Sequence, residues 1–232
     1  MAWNCPSKPP DKNMRKLTYL IVLASLMTAS SWSVAGSYTD FFRAIATDDT
    51  ATVQTLLAEG FDPNAVNASG NSALYLALRD KSFNVAKLLI AQPKLNLNQL
   101  NPSDENALMI ACLEGDDNLV EKMVARGAEI NKPGWTPLTY AATNGHTRIV
   151  KYLLDHAAYI DAAAPNGTTA LMMAAYFGHD ATVGLLLDEG ADPHLKNAMG
   201  FTALDLATQR GHMGAAKLIA HAMTMDGRTG HW

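Results

Sequence analysis

Three histidines are the first residues whose type and spacing could do chemistry. His146, His179 and His212 each follow a glycine and stand 33 residues apart. Neutral imidazole is a common zinc ligand, so a recurring histidine is a candidate for a metal centre. Zinc, however, holds its ligands about 2 Å from one ion, hence within about 4 Å of each other. His156, His194, His221 and His231 form no spacing that describes a site. The only cysteines are Cys5 and Cys112, and no CxxC pair exists. That excludes a disulfide-dense scaffold and most thiolate zinc sites. Cys112 could be a redox thiol, but no base flanks it closely to stabilise a thiolate. No nucleophile motif, phosphate-cradling glycine loop or paired-carboxylate pattern is present, and Asp180, Asp188 and Asp205 read as solvated. No catalysis, cofactor or metal is therefore expected. Asn67-Ala68-Ser69 and Asn166-Gly167-Thr168 fit the glycosylation pattern, which matters only in a eukaryotic host.

Composition narrows the class. The chain has 232 residues, 48% apolar and 17% charged, with 18 Lys+Arg against 22 Asp+Glu. This is ordinary globular material with enough length for a sizeable core. A net charge of −4 argues against a general nucleic-acid binder, which needs a basic face for phosphate.

Residues 1–35 differ from the rest. Lys8, Lys12, Arg15 and Lys16 precede an apolar run from Leu17 to Met27, and small residues end at Ser33-Val34-Ala35. These are the parts of a secretory signal peptide, with cleavage expected after Ala35. Met14 would give a tidier start. The alternative is an uncleaved anchor, since the 19 residues Leu17 to Ala35 carry no charge and just span about 30 Å of hydrocarbon. Serines and a threonine in its second half favour cleavage. The mature chain would then hold 14 bases and 21 acids, net −7, and one thiol, Cys112. Export to a periplasm in a Gram-negative source, or secretion otherwise, is expected.

The elements that position the histidines come from a repeat. Ser72-Ala73-Leu74, Asn106-Ala107-Leu108, Thr136-Pro137-Leu138, Thr169-Ala170-Leu171 and Thr202-Ala203-Leu204 place their leucines 34, 30, 33 and 33 residues apart. Each string leads to alanines, such as Ala141-Ala142 and Ala174-Ala175, and then to Gly145-His146, Gly178-His179 or Gly211-His212. An apolar helical pattern follows, as in Ile149-Val150 with Leu153-Leu154, closing at glycines such as Gly60, Gly127 and Gly190. The leading Ser, Asn and Thr residues are good N-caps. Pro137 stands where a missing N–H is harmless. Gly115, Gly145, Gly178 and Gly211 can take the left-handed conformation that ends a helix. Neither helix buries its apolar face alone, so stacking makes the core continuous, with Leu138, Leu153, Leu171 and Leu186 in it.

This pattern resembles the ankyrin-repeat family, over residues from about 38 to 222. The resemblance implies an all-α solenoid of stacked helix-turn-helix units, short β-turn fingers and a concave binding face. Six repeats are expected, at 39–66, 67–100, 101–130, 131–163, 164–196 and 197–222, with a flexible tail over 223–232. The first lacks the Thr-Pro-Leu string, as end repeats often do. The second has Lys81-Ser82 in place of Gly-His, and three residues are missing between Asn131 and Gly134, so that finger should be short. The resemblance also gives each repeat histidine a structural task, hydrogen bonding the turn between helices, and puts Cys112 in a tightly packed alanine position.

Ankyrin stacks look like protein-binding surfaces, so the expected function is an exported, non-catalytic module that binds a protein partner. No nucleic acid is expected, and a membrane only during export. The alternatives are a secreted effector or toxin-type protein acting on another cell, or a scaffold anchored through residues 17–35. The register puts Asn71, Glu105, Trp135, Thr168 and Phe201 near the finger tips. It puts Leu113-Glu114, Thr143-Asn144, Tyr176-Phe177 and Gln209-Arg210 at the ends of the inner helices. Trp135, Tyr176, Phe177 and Phe201, with Thr143 and Asn144, are the candidate partner contacts, because large aromatics at solvent-facing positions favour interfaces.

Overall fold

The computed structural model describes residues 36–229. The signal-peptide, anchor and early-start expectations fall on residues 1–35 and lie outside the described residues. Among the described residues, no helix is long and apolar enough to cross a membrane.

Among the described residues, twelve helices follow one another in six antiparallel pairs. The first pair is α1 (36–46) and α2 (Thr50–Ala58). Then come α3 (Ala73–Arg79) with α4 (Phe83–Ile90), and α5 (Ala107–Glu114) with α6 (Asp117–Ala125). The last three pairs are α7 (Pro137–Thr143) with α8 (Thr147–Asp155), α9 (Ala170–Phe177) with α10 (Asp180–Asp188), and α11 (Ala203–Arg210) with α12 (Met213–Thr229). Odd-numbered helices form an inner row and even-numbered helices an outer row, with α3 to α12 packed on neighbours in the row and on their own partners. Strand-like pairing is confined, among the described residues, to one bridge between Val66 and Ser72 in the first finger.

The helices start where the sequence supplies a cap. Ser72, Asn106, Thr136, Thr169 and Thr202 each accept, through the side chain, the backbone N–H of the third helical residue. They stop where the chain turns left-handed, as at Gly115, Gly178 and Gly211. Four non-glycine residues also have positive φ: Asp48 and Lys81 between paired helices, Ala157 after α8, and Asp104 in the finger before α5. Each holds a conformation that glycine adopts more easily. Leu138, Leu153, Leu171 and Leu186 are all buried between the rows, as expected from the repeat.

Successive repeats are tied together by polar contacts at fixed positions. The Nε2–H of His146 donates to the Leu113 carbonyl, and that of His179 to the Thr143 carbonyl, both over 2.9 Å. The rings of His146, His179 and His212 occupy the space beside Gly115, Gly145 and Gly178 of the preceding repeat, where no Cβ fits. Each histidine thus explains a glycine one repeat earlier. A second ladder runs below the fingers. The side chains of Asn64, Asn98, Asn131 and Asp161 accept backbone N–H groups of Asn96, Glu129, Tyr159 and Asp192 in the next repeat.

The C-terminal end departs from expectation. A flexible tail is expected over 223–232, but α12 continues to Thr229. Met223 packs against the core, and no proline or glycine interrupts the chain between Ala215 and Asp226, so the helix carries on past the expected boundary at 222.

Candidate functional site

The inner helices and fingers carry a polar cluster centred on Glu105. Tyr75 at the start of α3 donates its hydroxyl to Glu105 Oε2 over 2.7 Å, and Tyr140 in α7 donates to Oε1 over 2.5 Å. Asn101 Nδ2 donates to Oε2 over 3.0 Å. One carboxylate therefore joins three successive repeats. Partial burial works against its charge, but the hydrogen bonds from Tyr140, Tyr75 and Asn101, with Lys132 nearby, outweigh burial and hold the carboxyl below its ordinary value. Burial and the same carboxylate push Tyr75 up to about 12, and raise Tyr140 as well.

Beside this cluster lies a shallow depression of about 200 Å³, lined by Leu113, Trp135, Tyr140, Thr143 and Met173. Its walls come from α5, α7, α9 and the third finger. The Trp135 ring stands edge-on to Tyr140, with centroids 6.4 Å apart.

A second aromatic group sits at the far end of α9. Tyr176 and Phe177 meet edge to face at 5.0 Å, and the Arg210 guanidinium lies over Tyr176 at 4.2 Å from the ring centre. Phe177 is 43% exposed, while Tyr176 is half-buried beneath Arg210.

The model for ankyrin repeats (3 copies) matches residues 41–133, 108–197 and 160–228, which together span most of the chain. The chain belongs to the ankyrin-repeat family. A crystal structure of an ankyrin repeat domain from Acinetobacter baumannii AYE superposes with a TM-score of 0.67 at 27% identity, covering 78% of this chain and 96% of that one. Among curated relatives, protein phosphatase 1 regulatory subunit 27 of Mus musculus is 34% identical over 101 residues, 42% of this chain and 66% of its own. Ankyrin repeat and SAM domain-containing protein 6 of Rattus norvegicus is 33% identical over 100 residues, 41% of this chain. Glycerophosphocholine phosphodiesterase gde1 of Schizosaccharomyces pombe is 33% identical over 117 residues, 47% of this chain. The aligned segment spans only about a tenth of the latter two, 11% and 10%.

Within this ankyrin stack the expected contact residues fall into two groups rather than one. Trp135 and Thr143 line the depression, and Tyr176 and Phe177 form the pair at the end of α9. Phe177 alone of the four aromatics is exposed; Trp135, Tyr176 and Phe201 are half-buried. The Phe201 ring packs against the core. Solvent-facing positions were expected for all four, but each finger residue leans on the helix beside it, as Trp135 does on Tyr140. Asn144 commits its amide to the Leu113 carbonyl, 2.8 Å away, and Thr143 donates its hydroxyl to Thr139 O within its own helix. Thr136, Leu138, Gly145, His146, Leu171, Gly178, His179, Gly211 and His212 sit in caps, core or turns. Leu204 is half-buried against the core.

Sequence reasoning missed Glu105 as a hub and Lys132 altogether. In three of the four fingers of ordinary length, Asn67, Asn101 and Asn197 accept backbone N–H groups two and four residues on. The shortened third finger makes no such pair of bonds. There the buried ammonium of Lys132 bonds Asp104 Oδ2 and Pro133 O at 2.8 Å and Trp135 O at 3.4 Å. The missing residues between Asn131 and Gly134 were the available signal. Cys112 is fully buried, and burial pushes its thiol well above the ordinary value, which leaves it inert in the folded chain.

Proposed function

We propose that this ankyrin-repeat chain is an exported, non-catalytic interaction module that grips a protein partner with its inner helices and fingers. The observation that carries the reading is the depression walled by Leu113, Trp135, Tyr140, Thr143 and Met173. It gathers apolar and aromatic side chains from three repeats on the side where the family's resemblance implies a concave face, and such partly exposed aromatics suit partner anchoring. Export rests on the basic start, apolar run and small-x-Ala end of residues 1–35.

The test combines fractionation with crosslinking in cells. N-terminal sequencing of the exported fraction should read from Gly36. A photoreactive residue at Phe177 or Trp135 should capture a discrete partner, and one at the exposed Arg148 on α8 should not. Capture from Arg148 alone would move the binding surface to the outer row. Retention of Leu17–Met27 would favour the anchored scaffold.

A further inference from the structure

Glu105 holds an ionised side chain on the inner face without a cation of its own. Its neighbours are two phenols and an amide. Lys132, which lowers it from a distance, has its ammonium bound to Asp104, Pro133 O and Trp135 O. Among the described residues, no Lys or Arg forms an ion pair with Glu105, whereas Glu114 on the same face is paired with Lys81 at 2.9 Å. A carboxylate accepts about four hydrogen bonds, and three are filled here. The unfilled acceptor is on Oε1, which takes only the Tyr140 hydroxyl.

Tyr140 connects that oxygen to the apolar depression. Its hydroxyl binds Glu105, and its ring forms part of the wall beside Trp135. The depression, about 200 Å³, accommodates one large aliphatic side chain, not a helix or a domain edge. A guanidinium bound at Oε1 would lie beside Trp135 and Tyr140, and an aromatic ring face turned towards it favours a cation. An acidic segment would meet an unpaired carboxylate. The charge and the shape of the face select the same occupant.

Deepening the reading above and resting on it, we propose that the inner face of repeats 3 to 5 receives an extended basic–apolar segment of the partner. That segment seats a Leu- or Met-sized side chain among Leu113, Trp135, Tyr140, Thr143 and Met173, and places a neighbouring Arg or Lys against Glu105. Specificity then comes from the pairing of the two groups, because either alone is common on protein surfaces.

The experiment uses the full chain, purified from the exported fraction, and a displayed library of random nonapeptides. Enriched peptides should carry Arg or Lys within three positions of Leu, Met or Phe. Fluorescence titration of the enriched peptides should show at least tenfold weaker binding to Glu105→Gln and to Met173→Arg, and a salt dependence that Glu105→Gln removes. Thermal melting of both variants checks folding. If Glu105→Gln unfolds, Met173→Arg and charge-swapped peptides, with Asp replacing the base, carry the test. Enrichment of acidic or uncharged peptides overturns the proposal, as does no enrichment at all. Peptides that ignore both variants but lose binding to Phe177→Glu also overturn it, yet leave the inner face as the binding surface. Crosslinking confined to the outer row would instead end the broader reading.

Discussion

His179 and Gly145 belong to successive repeats, and each fixes the other's identity. The imidazole donates to Thr143 O and lies where a Cβ on Gly145 would come within 2.5 Å of Nδ1. The pairing separates two costs of replacing glycine. Gly211 has a similar φ of 78° but nothing within 4 Å of its would-be Cβ. Gly211→Ala should cost about 1–2 kcal/mol, the left-handed penalty alone. Gly145→Ala should cost at least about 1 kcal/mol more, because the ring must move. His179→Ala should cost about 1–3 kcal/mol by leaving the carbonyl unpaired. Urea unfolding of the three variants decides it; equal losses at Gly145 and Gly211 would remove the steric part of the account.

Ala157 gives the converse prediction. It ends α8 with φ 64°, at the turn where Gly60, Gly127 and Gly190 close α2, α6 and α10. Ala157→Gly should stabilise the chain by about 0.5–1 kcal/mol, the strain relieved exceeding the entropy gained by the unfolded state. The thermal midpoint should rise. A fall would mean that the unfolded-state entropy dominates.

These two positions show what was legible beforehand. The Gly-His pairs at 145–146, 178–179 and 211–212 repeat in phase, so the turns, caps and six-fold periodicity can be read from spacing alone. The leucines of the core follow, since helical period and repeat period agree. The inner face is less legible because its contacts link different repeats at unlike residues. Glu105 reads as a finger-tip acid until Tyr75 and Tyr140 are brought to it from 30 and 35 residues away. Lys132 looks like a solvated base, yet its ammonium donates to Trp135 O, where longer fingers supply a backbone N–H to the equivalent carbonyl, as Asn67 does to Asn71 O.

Cys112 tests the packing of the inner row. Its side chain is fully buried in α5 and its thiol is raised by burial, so the thiolate is scarce and shielded. The native chain should resist an aromatic disulfide reagent for hours and react stoichiometrically after unfolding. Prompt labelling of the native chain would show that repeat 3 opens locally or that the thiol is accessible.

The Glu105 cluster makes a prediction with opposite signs at the two ends of the pH scale. Glu105 sits below its ordinary 4.5 in the folded chain, so its contribution is fully present above that value and is lost as pH falls through the lowered one. Tyr75, raised to about 12 from 10.0, stays protonated in the folded chain after the unfolded chain has ionised. Its contribution is therefore lost as pH rises from about 10 to about 12. Glu105→Gln keeps the shape and removes the charge, and should cost about 1–3 kcal/mol at neutral pH through weakened phenol bonds. The gap between wild type and variant should begin to narrow below about pH 4.5 and close once pH passes the lowered value, where folded Glu105 also becomes neutral. Spectrophotometric titration at the tyrosinate band should show Tyr75 moving down towards 10 in the variant, since one of the causes of its rise is gone. If the tyrosine titration is unchanged while stability falls, the loss comes from repacking of the fingers, and the carboxylate does not hold repeats 2 to 4 together.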